Sequence, residues 1–485
     1  MIRNYFKVAW RTLLKNRWHS IINIVGLATS ISVCVVLFLL YQYESGFDKF
    51  RPNYDRIYRV YSQFSGVFEG VNRGVPGPAA AKLKGEFTGI ESATAFFNLT
   101  SDVKVKDESA TPKVFKNQGD VIFTDADYFK TIGGYTWISN NQEAFLSEPF
   151  QVILSEAKAK KYFSVEDPLD AIDRVLIYRD SIEVTVSGIV SLPDENTDFI
   201  FQDFISLSTA TDSRLKNQID LEGWANTNSS SQLFIKLLPG VEAVQIESQF
   251  GPLDELYRAS SPDEDWKHKY RLQPLSELHY NANLGIFDST RWSPASRKTL
   301  SIFLLVSVLL IIIAAINFVN LETAKATLRA QDIGIRKTLG STRISLIFQY
   351  MGETALLTLF AILLSLTLAD LGARYFDDFF PMGFSVELIS WQNLIFLSVL
   401  WVLITILASL YPATIISKFK TTDALYGRVS HVLGKTNIRQ GLIVFQFCVA
   451  QFFIISTLIV GKQIKYMLEK DLGFNTDAIV VLNLP

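Results

Sequence analysis

Residues Glu322–Arg343, ETAKATLRAQDIGIRKTLGSTR, form a short basic stretch between two long apolar runs, and their reading sets the architecture of the chain. Upstream, Leu300 to Val319 carries no charge and is long enough to cross the roughly 30 Å hydrocarbon layer as a helix. Downstream, a second apolar run covers Ala355 to Leu368. The stretch holds Lys325, Arg329, Arg336, Lys337 and Arg343 against Glu322 and Asp332. A Lys/Arg excess in a short loop between spans places that loop on the cytoplasmic side, so the segment reads as an inner elbow.

Charge distribution extends this topology to the whole chain. Of 485 residues, 49% are hydrophobic and 19% charged, too apolar for an ordinary soluble protein yet charged enough to require a sizeable soluble part. Residues 42–298 hold 37 Asp/Glu and 27 Lys/Arg, a balance of -10, whereas the remainder holds 11 and 19, a balance of +8. Of those 19 basic residues, 15 fall on the expected inner side; Arg374, Lys462, Lys465 and Lys470 are the exceptions. The cysteines, Cys34 and Cys448, both sit in apolar runs, which excludes a disulfide scaffold or Cys-based zinc site in the soluble region.

Taken in order, residues 1–41 comprise an amphipathic start and a first span. Tyr5, Phe6, Ala9, Trp10, Leu13, Leu14 and Trp18 recur at helical intervals among Arg3, Lys7, Arg11, Lys15 and Arg17, the pattern of a helix lying on an anionic lipid surface. Ile21–Tyr41 then spans; its apolar core is too long for a signal peptide and no A-x-A site follows. Gly26 and Ser30 on this span permit close helix packing.

Residues 42–298 read as a large mixed α+β extracytoplasmic domain. Val175–Tyr178 and Ile182–Val190, joined through Arg179, Asp180 and Ser181, predict a β-hairpin. Gln151–Leu154 and Gln232–Leu238 predict strands, and Ser155–Phe163 a helix capped by Ser155. Residues 299–417 hold the second to fourth spans, residues 418–440 a basic inner linker and residues 441–461 a fifth span. The expected fold class is therefore α-helical transmembrane, about five spans, plus the soluble domain. Residues 462–485 end in AIVVLNLP, which reads as a strand opening a second outer domain. Since an isolated strand lacks pairing partners, the expectation is a fragment or short form of a longer chain whose second half repeats the first.

The segment Arg329–Arg343, RAQDIGIRKTLGSTR, resembles the E-I-G-I-R-K-x-L-G-A-x-R signature of FtsX/MacB-type ABC transporter permeases, with Asp332 in place of Glu and Ser341 in place of Ala. Glu353 in QYMGETALL and LYPATIISKF at Leu410–Phe419 also match. In the soluble region VILSEAKAKKYFSVEDPLD and VSGIVSLPDENTDFIFQDFI resemble the MacB-type periplasmic domain, with Asp170 where the family usually has Gly. The resemblance implies a bacterial inner-membrane protein, multi-pass with a cytoplasmic N-terminus. It implies a separate cytoplasmic ABC ATPase dimer that binds ATP and grips the elbow as a coupling helix. The residues carried over are Arg329, Asp332, Ile333, Gly334, Ile335, Arg336, Lys337, Leu339, Gly340, Arg343 and Glu353. Other expected partners are membrane lipid, a second permease half or a homodimer, and a periplasmic adaptor or outer-membrane component; no nucleic acid is expected. The cargo classes the family implies are lipoproteins, peptides, antibiotics or regulators of cell-wall hydrolases.

The residues are compatible with such coupling. Gly334 and Gly340 allow a tight turn or close approach, Ile333, Ile335 and Leu339 offer apolar contacts, and Arg336 and Arg343 can pair with carboxylates. On patterning alone, a juxtamembrane loop whose charges only set topology remains the rival. The chain itself is not expected to be an enzyme or to hold a cofactor or metal. Gly434, Lys435 and Thr436 lack the first Gly of a phosphate loop, since Val429 stands there. His268 and His279 are the soluble region's only histidines, and no H-E-x-x-H, G-x-S-x-G or paired Cys/His spacing occurs. Asp263, Glu264 and Asp265 lack the spacing of a calcium loop and read as a solvated face. A transmembrane sensor is the alternative class, but the longest inner segment has about 22 residues; a membrane-anchored hydrolase would need catalytic groups that are missing.

Overall fold

The computed structural model describes residues 17–470 apart from 67–68, 107–112, 140–145, 212, 262–265, 289, 291–292, 325, 382, 388 and 418–436. The amphipathic start, the basic linker with its G-K-T, the acidic run at 263–265 and the final AIVVLNLP lie wholly or largely outside the described residues. Two compact units result: one drawn from Met1–Leu39, Phe303–Phe380 and Ser385–Pro485, the other from Leu40–Ile302 with Pro381–Phe384.

The first unit is helical because a chain in hydrocarbon must satisfy its own backbone polar groups. Its long helices are α1 (Arg17–Gly46), α5 (Arg297–Ala324), α7 (Arg343–Tyr375), α8 (Trp391–Ser417) and α9 (Asn437–Glu469), all long and apolar enough to cross a membrane. A shorter α6 (Ala326–Thr338) lies in the elbow. At about 1.5 Å per residue these five helices exceed the hydrocarbon thickness, so their ends project beyond it.

Small residues let the backbones approach. Ala361, Ser365 and Ala369 on α7, and Ala408 and Ser409 on α8, are fully or almost fully buried. Between these helices Thr358 and Thr405 hydroxyls meet at 2.9 Å and Trp401 Nε1 donates to the Ala355 carbonyl at 2.9 Å. Gly26 does face a neighbouring span, since a Cβ there would lie 3.6 Å from Asn317 Nδ2 of α5. On α9, by contrast, Phe447, Phe452, Ile455 and Leu458 remain exposed.

The second unit is built on an 11-stranded sheet in the order β11-β1-β10-β3-β4-β9-β6-β8-β5. The strands needed here are β1 (Ile57–Gly66), β3 (Ile90–Val105), β4 (Val114–Thr124), β6 (Gln151–Ser155), β7 (Val175–Tyr178), β8 (Ile182–Ser191), β9 (Asp203–Ser206), β10 (Ser231–Leu237) and β11 (Trp266–Pro274). β2 (Gly70–Asn72) extends β1, and β5 (Thr136–Trp137) extends β8. Because β7 pairs with both β3 and β8, the path β3-β4-β9-β6-β8-β7 returns to β3 and closes a six-stranded ring. Closure removes the unpaired strand edges that an open sheet would present. Phe97, Val121, Phe123, Val152, Leu154, Leu176, Val184, Val186 and Ile205 form one buried cluster on these strands.

A second cluster is aromatic. Phe96, Phe199, Phe201, Phe234 and Phe287 pack edge-to-face or stacked, with Phe96 ring centroids 5.2 to 5.7 Å from those of Phe201, Phe287 and Phe234. Part of the large phenylalanine content is thereby absorbed as core. A third cluster packs α2 (Ala79–Glu86) and α4 (Gly251–Ser260) on the β11-β1-β10-β3 part of the sheet.

Local signals operate as their chemistry dictates. In the β7–β8 hairpin Arg179 and Asp180 take φ of 46° and 59°, the double positive φ of a type I′ connection. Ser155 caps α3 (Glu156–Phe163), its hydroxyl accepting from the Lys158 N–H at 3.2 Å. Asp170 sits in a 3-10 turn, Pro168–Ala171, with ordinary negative φ, so the site where the family usually has Gly demands no left-handed backbone here.

α3 is pinned to the ring by a buried polar network. Lys158 Nζ donates to Asp120 Oδ1 and Gln118 Oε1, both at 2.8 Å, and to the Tyr162 hydroxyl at 3.0 Å. The Tyr162 and Tyr178 hydroxyls each donate to Asp203 Oδ2 at 2.8 Å. Burial pushes the Asp203 carboxyl up to about 6 against the pull of Lys158. Lys158→Ala leaves this acidic pair without its cation and is expected to cost about 3 kcal/mol, read as a lowered Tm of the full-length protein in detergent; an unchanged Tm would show that the network contributes nothing net.

Candidate functional site

The elbow is shaped by the sequence LGSTR. Helix α6 ends because Gly340 adopts φ +93°, a conformation that other residues enter at a cost. The Gly340 N–H donates to the Lys337 carbonyl at 3.1 Å and the Ser341 N–H to the Arg336 carbonyl at 3.0 Å, the paired bonds of a Schellman stop. Two residues later Thr342 starts α7, its hydroxyl accepting from the Ser345 N–H at 3.2 Å. Arg336 and Lys337 occupy the last turn of α6, where the helix dipole favours cations.

Side chains of this segment point in different directions. Arg336 Nη1 donates to Gln349 Oε1 of α7 at 2.6 Å. Lys337 Nζ donates to the Ser417 carbonyl at 2.8 Å, satisfying an orphan acceptor at the end of α8; burial, then the nearby Arg343, lowers its pKa. Ile333 and Gly334 face inward, and Gly334 is ordinary helix rather than a turn. Asp332, Ile335, Leu339 and Arg343 are exposed, Leu339 to 82%. Ile344 and Phe348 at the start of α7 are exposed as well. Arg329 lies in α6, but its side chain is outside the described residues. Glu353 is buried within α7, so the structure places it away from this surface, inside the helical unit.

Glu322 belongs to α5 rather than to the elbow turn. It is 3% exposed, accepting from Asn23 Nδ2 of α1 at 3.1 Å and from the Tyr350 hydroxyl of α7 at 3.2 Å. One carboxylate therefore ties three candidate spans, and a buried carboxylate is tolerated only with such donors. Its signal lay in the helical period: Ala315, Phe318, Val319 and Glu322 fall on one face, and all are buried.

At the C-terminal end of α1, within the soluble unit, lies a second dense polar cluster. His279 Nε2 meets Glu44 Oε2 at 2.7 Å, its Nδ1 meets Asp198 Oδ1 at 2.9 Å, and Phe47 stacks on the ring at 3.8 Å. Fully buried Arg51 bonds Asp48 Oδ1 and the Thr197 hydroxyl, both at 2.7 Å, and the Gly133 carbonyl. Asp48 Oδ2 accepts from the Asp198 N–H at 3.2 Å, which joins the two parts. Among the described residues no group of three or more His, Cys, Asp or Glu is placed to hold a metal ion.

Two family models match the chain: MacB-like periplasmic core domain over residues 20–253 and FtsX-like permease C-terminal over residues 304–421. Solved structures with similarity include the periplasmic region of MacB from Actinobacillus actinomycetemcomitans, at 15% identity and a TM-score of 0.31, covering 44% of this chain and 87% of that one. The extracellular domain of the ABC-type transporter YknZ from Gram-positive bacteria matches at 13% identity and a TM-score of 0.29, covering 45% and 99%. No curated protein matches this chain. The chain belongs to the FtsX/MacB-type permeases of ABC transporters. It is a membrane permease subunit with a periplasmic-type core domain, and membership implies a partner ATPase and an inner-membrane location.

Burial lowers the affinity of His279 for its proton, but its hydrogen bonds to Asp198 and Glu44 and their charges outweigh this and hold its pKa at about 9. The folded value lies above the unfolded one, so the stabilisation is fully present below about pH 6.5 and is lost as pH rises through about 9. The Tm gap between wild type and His279→Gln is therefore expected to be widest near pH 6.5 and to close by about pH 10; a gap independent of pH would contradict a charged His279.

Proposed function

We propose that the chain, with its N-terminus inside the cell, converts closure of an ATP-bound cytoplasmic ATPase dimer into movement of its extracytoplasmic domain. The elbow is the receiving element. Its exposed Ile335, Leu339, Ile344 and Phe348, with Arg343 beside them, offer an apolar patch with a basic edge, suited to a groove lined by carboxylates. Arg336 and Lys337 act indirectly, since their bonds to Gln349 and Ser417 brace α6 against α7 and α8. Glu353 has a packing role in α7. The catalytic chemistry belongs to the partner, and the exported part of this chain acts on cargo or on envelope enzymes.

The observation that carries this reading is the fixed helix-stop-helix geometry around Gly340, which holds the apolar patch on a braced support. The double variant Arg336→Glu, Gly340→Trp removes one brace and strains the stop. Stimulation of the partner ATPase by the full-length protein is expected to fall about tenfold or more, the equivalent of about 1.4 kcal/mol of lost coupling, with membrane insertion unchanged. Undiminished stimulation would remove the elbow from the coupling path.

A further inference from the structure

Helices α1 and α5 each run unbroken across the boundary between the two compact units, which falls at Leu39/Leu40 in one and Ile302/Phe303 in the other. Their outer ends, both inside the soluble unit, are held by the same six-residue 3-10 turn, Leu275–Tyr280. From the α1 side, the Glu44 carboxylate meets His279 Nε2 at 2.7 Å and the Glu44 carbonyl accepts from the Tyr280 hydroxyl at 2.8 Å. From the α5 side, Arg297 Nη2 bonds Glu277 Oε1 at 2.7 Å, its Nε bonds Oε2 at 3.2 Å, and the guanidinium lies 4.3 Å from the centroid of the Tyr280 ring. Just before α5, the Ala295 N–H donates to the His279 carbonyl at 2.8 Å.

The turn is itself anchored. Leu275 and Leu278 are buried in the aromatic cluster, and His279 Nδ1 bonds Asp198, in the loop leading into β9. Side chains of three consecutive kinds of contact, ionic, aromatic and apolar, thus meet within one turn. Charged hydrogen bonds of this sort are short and directional, so they hold a separation rather than merely an attraction.

We infer that the turn Leu275–Tyr280 is the common joint through which displacement of α1 and α5 enters the soluble domain, with Glu277 and His279 as the positioning residues. This rests on the reading of the chain as a transmitter of ATP-driven motion. Because both helices end on one turn, they deliver a single input: a shift of α1 that α5 did not share would have to break either the Glu44–His279 or the Arg297–Glu277 contact.

The test uses the full-length protein in phosphatidylethanolamine/phosphatidylglycerol nanodiscs with its copurified ATPase, with and without ATP and vanadate, read by hydrogen–deuterium exchange. In the wild type, exchange is expected to change on nucleotide binding both in the elbow, residues 326–343, and in the soluble unit outside residues 275–280. Glu277→Arg is expected to keep the elbow response and reduce the soluble-unit response at least threefold. Adding Arg297→Glu restores the pair in reverse and is expected to recover that response, which a simple loss of packing would not. His279→Gln, tested separately, is expected to give the same split. A soluble-unit response that persists at wild-type size in both single variants overturns the joint. Absence of any elbow response in the wild type overturns the transmission reading itself, and the joint with it.

Discussion

An α-helix in hydrocarbon has no partner for its backbone except itself, and that constraint shapes both units of this protein. The same internal bonding that lets α1 and α5 exist in lipid makes them stiff, and neither is interrupted where it passes into the soluble unit. Side-chain chemistry then decides what each rod is fastened to. Near the elbow Glu322 fastens α5 to α1 and α7; in the soluble unit Glu44 and Arg297 fasten the two rods to one turn. Glu322 and the Glu44–His279 pair are largely buried, whereas the Arg297–Glu277 pair lies at the surface.

Features encoded within a few residues were legible from the sequence. Gly340 permitting a tight turn, Ser155 capping a helix and the Arg179–Asp180–Ser181 stretch turning a hairpin are all read from a few adjacent residues. The apolar runs gave the candidate spans for the same reason. What escaped was every feature made by residues far apart in the chain. The closure of β3 on β7 joins residues 103–105 to 176–178, and no local pattern marks it. In the sequence His279 is simply one of the soluble region's two histidines, because its partners Glu44 and Asp198 stand 235 and 81 residues away. Glu322 reads as one of the elbow's charges by sequence alone; its place on the buried face of α5 makes it a tie between helices instead.

The elbow residues separate into two physical groups. Ile335, Leu339 and Arg343 present surface, while Ile333, Gly334, Arg336, Lys337 and Glu353 hold the local structure. A signature motif read as one contact surface thus contains its own scaffold. The soluble unit repeats this economy in the Lys158 network, where the helix following β6 is fixed to the ring by the Lys158 ammonium group and the Tyr162 phenol.

The six-strand ring has a mechanical consequence of its own. A sheet with free margins can shear, one strand slipping past the next at the loss of a single ladder, whereas a hoop cannot let any member slide without opening ladders on both its flanks. Torque applied at one place on such a hoop turns the whole of it, so its far rim travels as far as its geometry dictates with little lost to internal give.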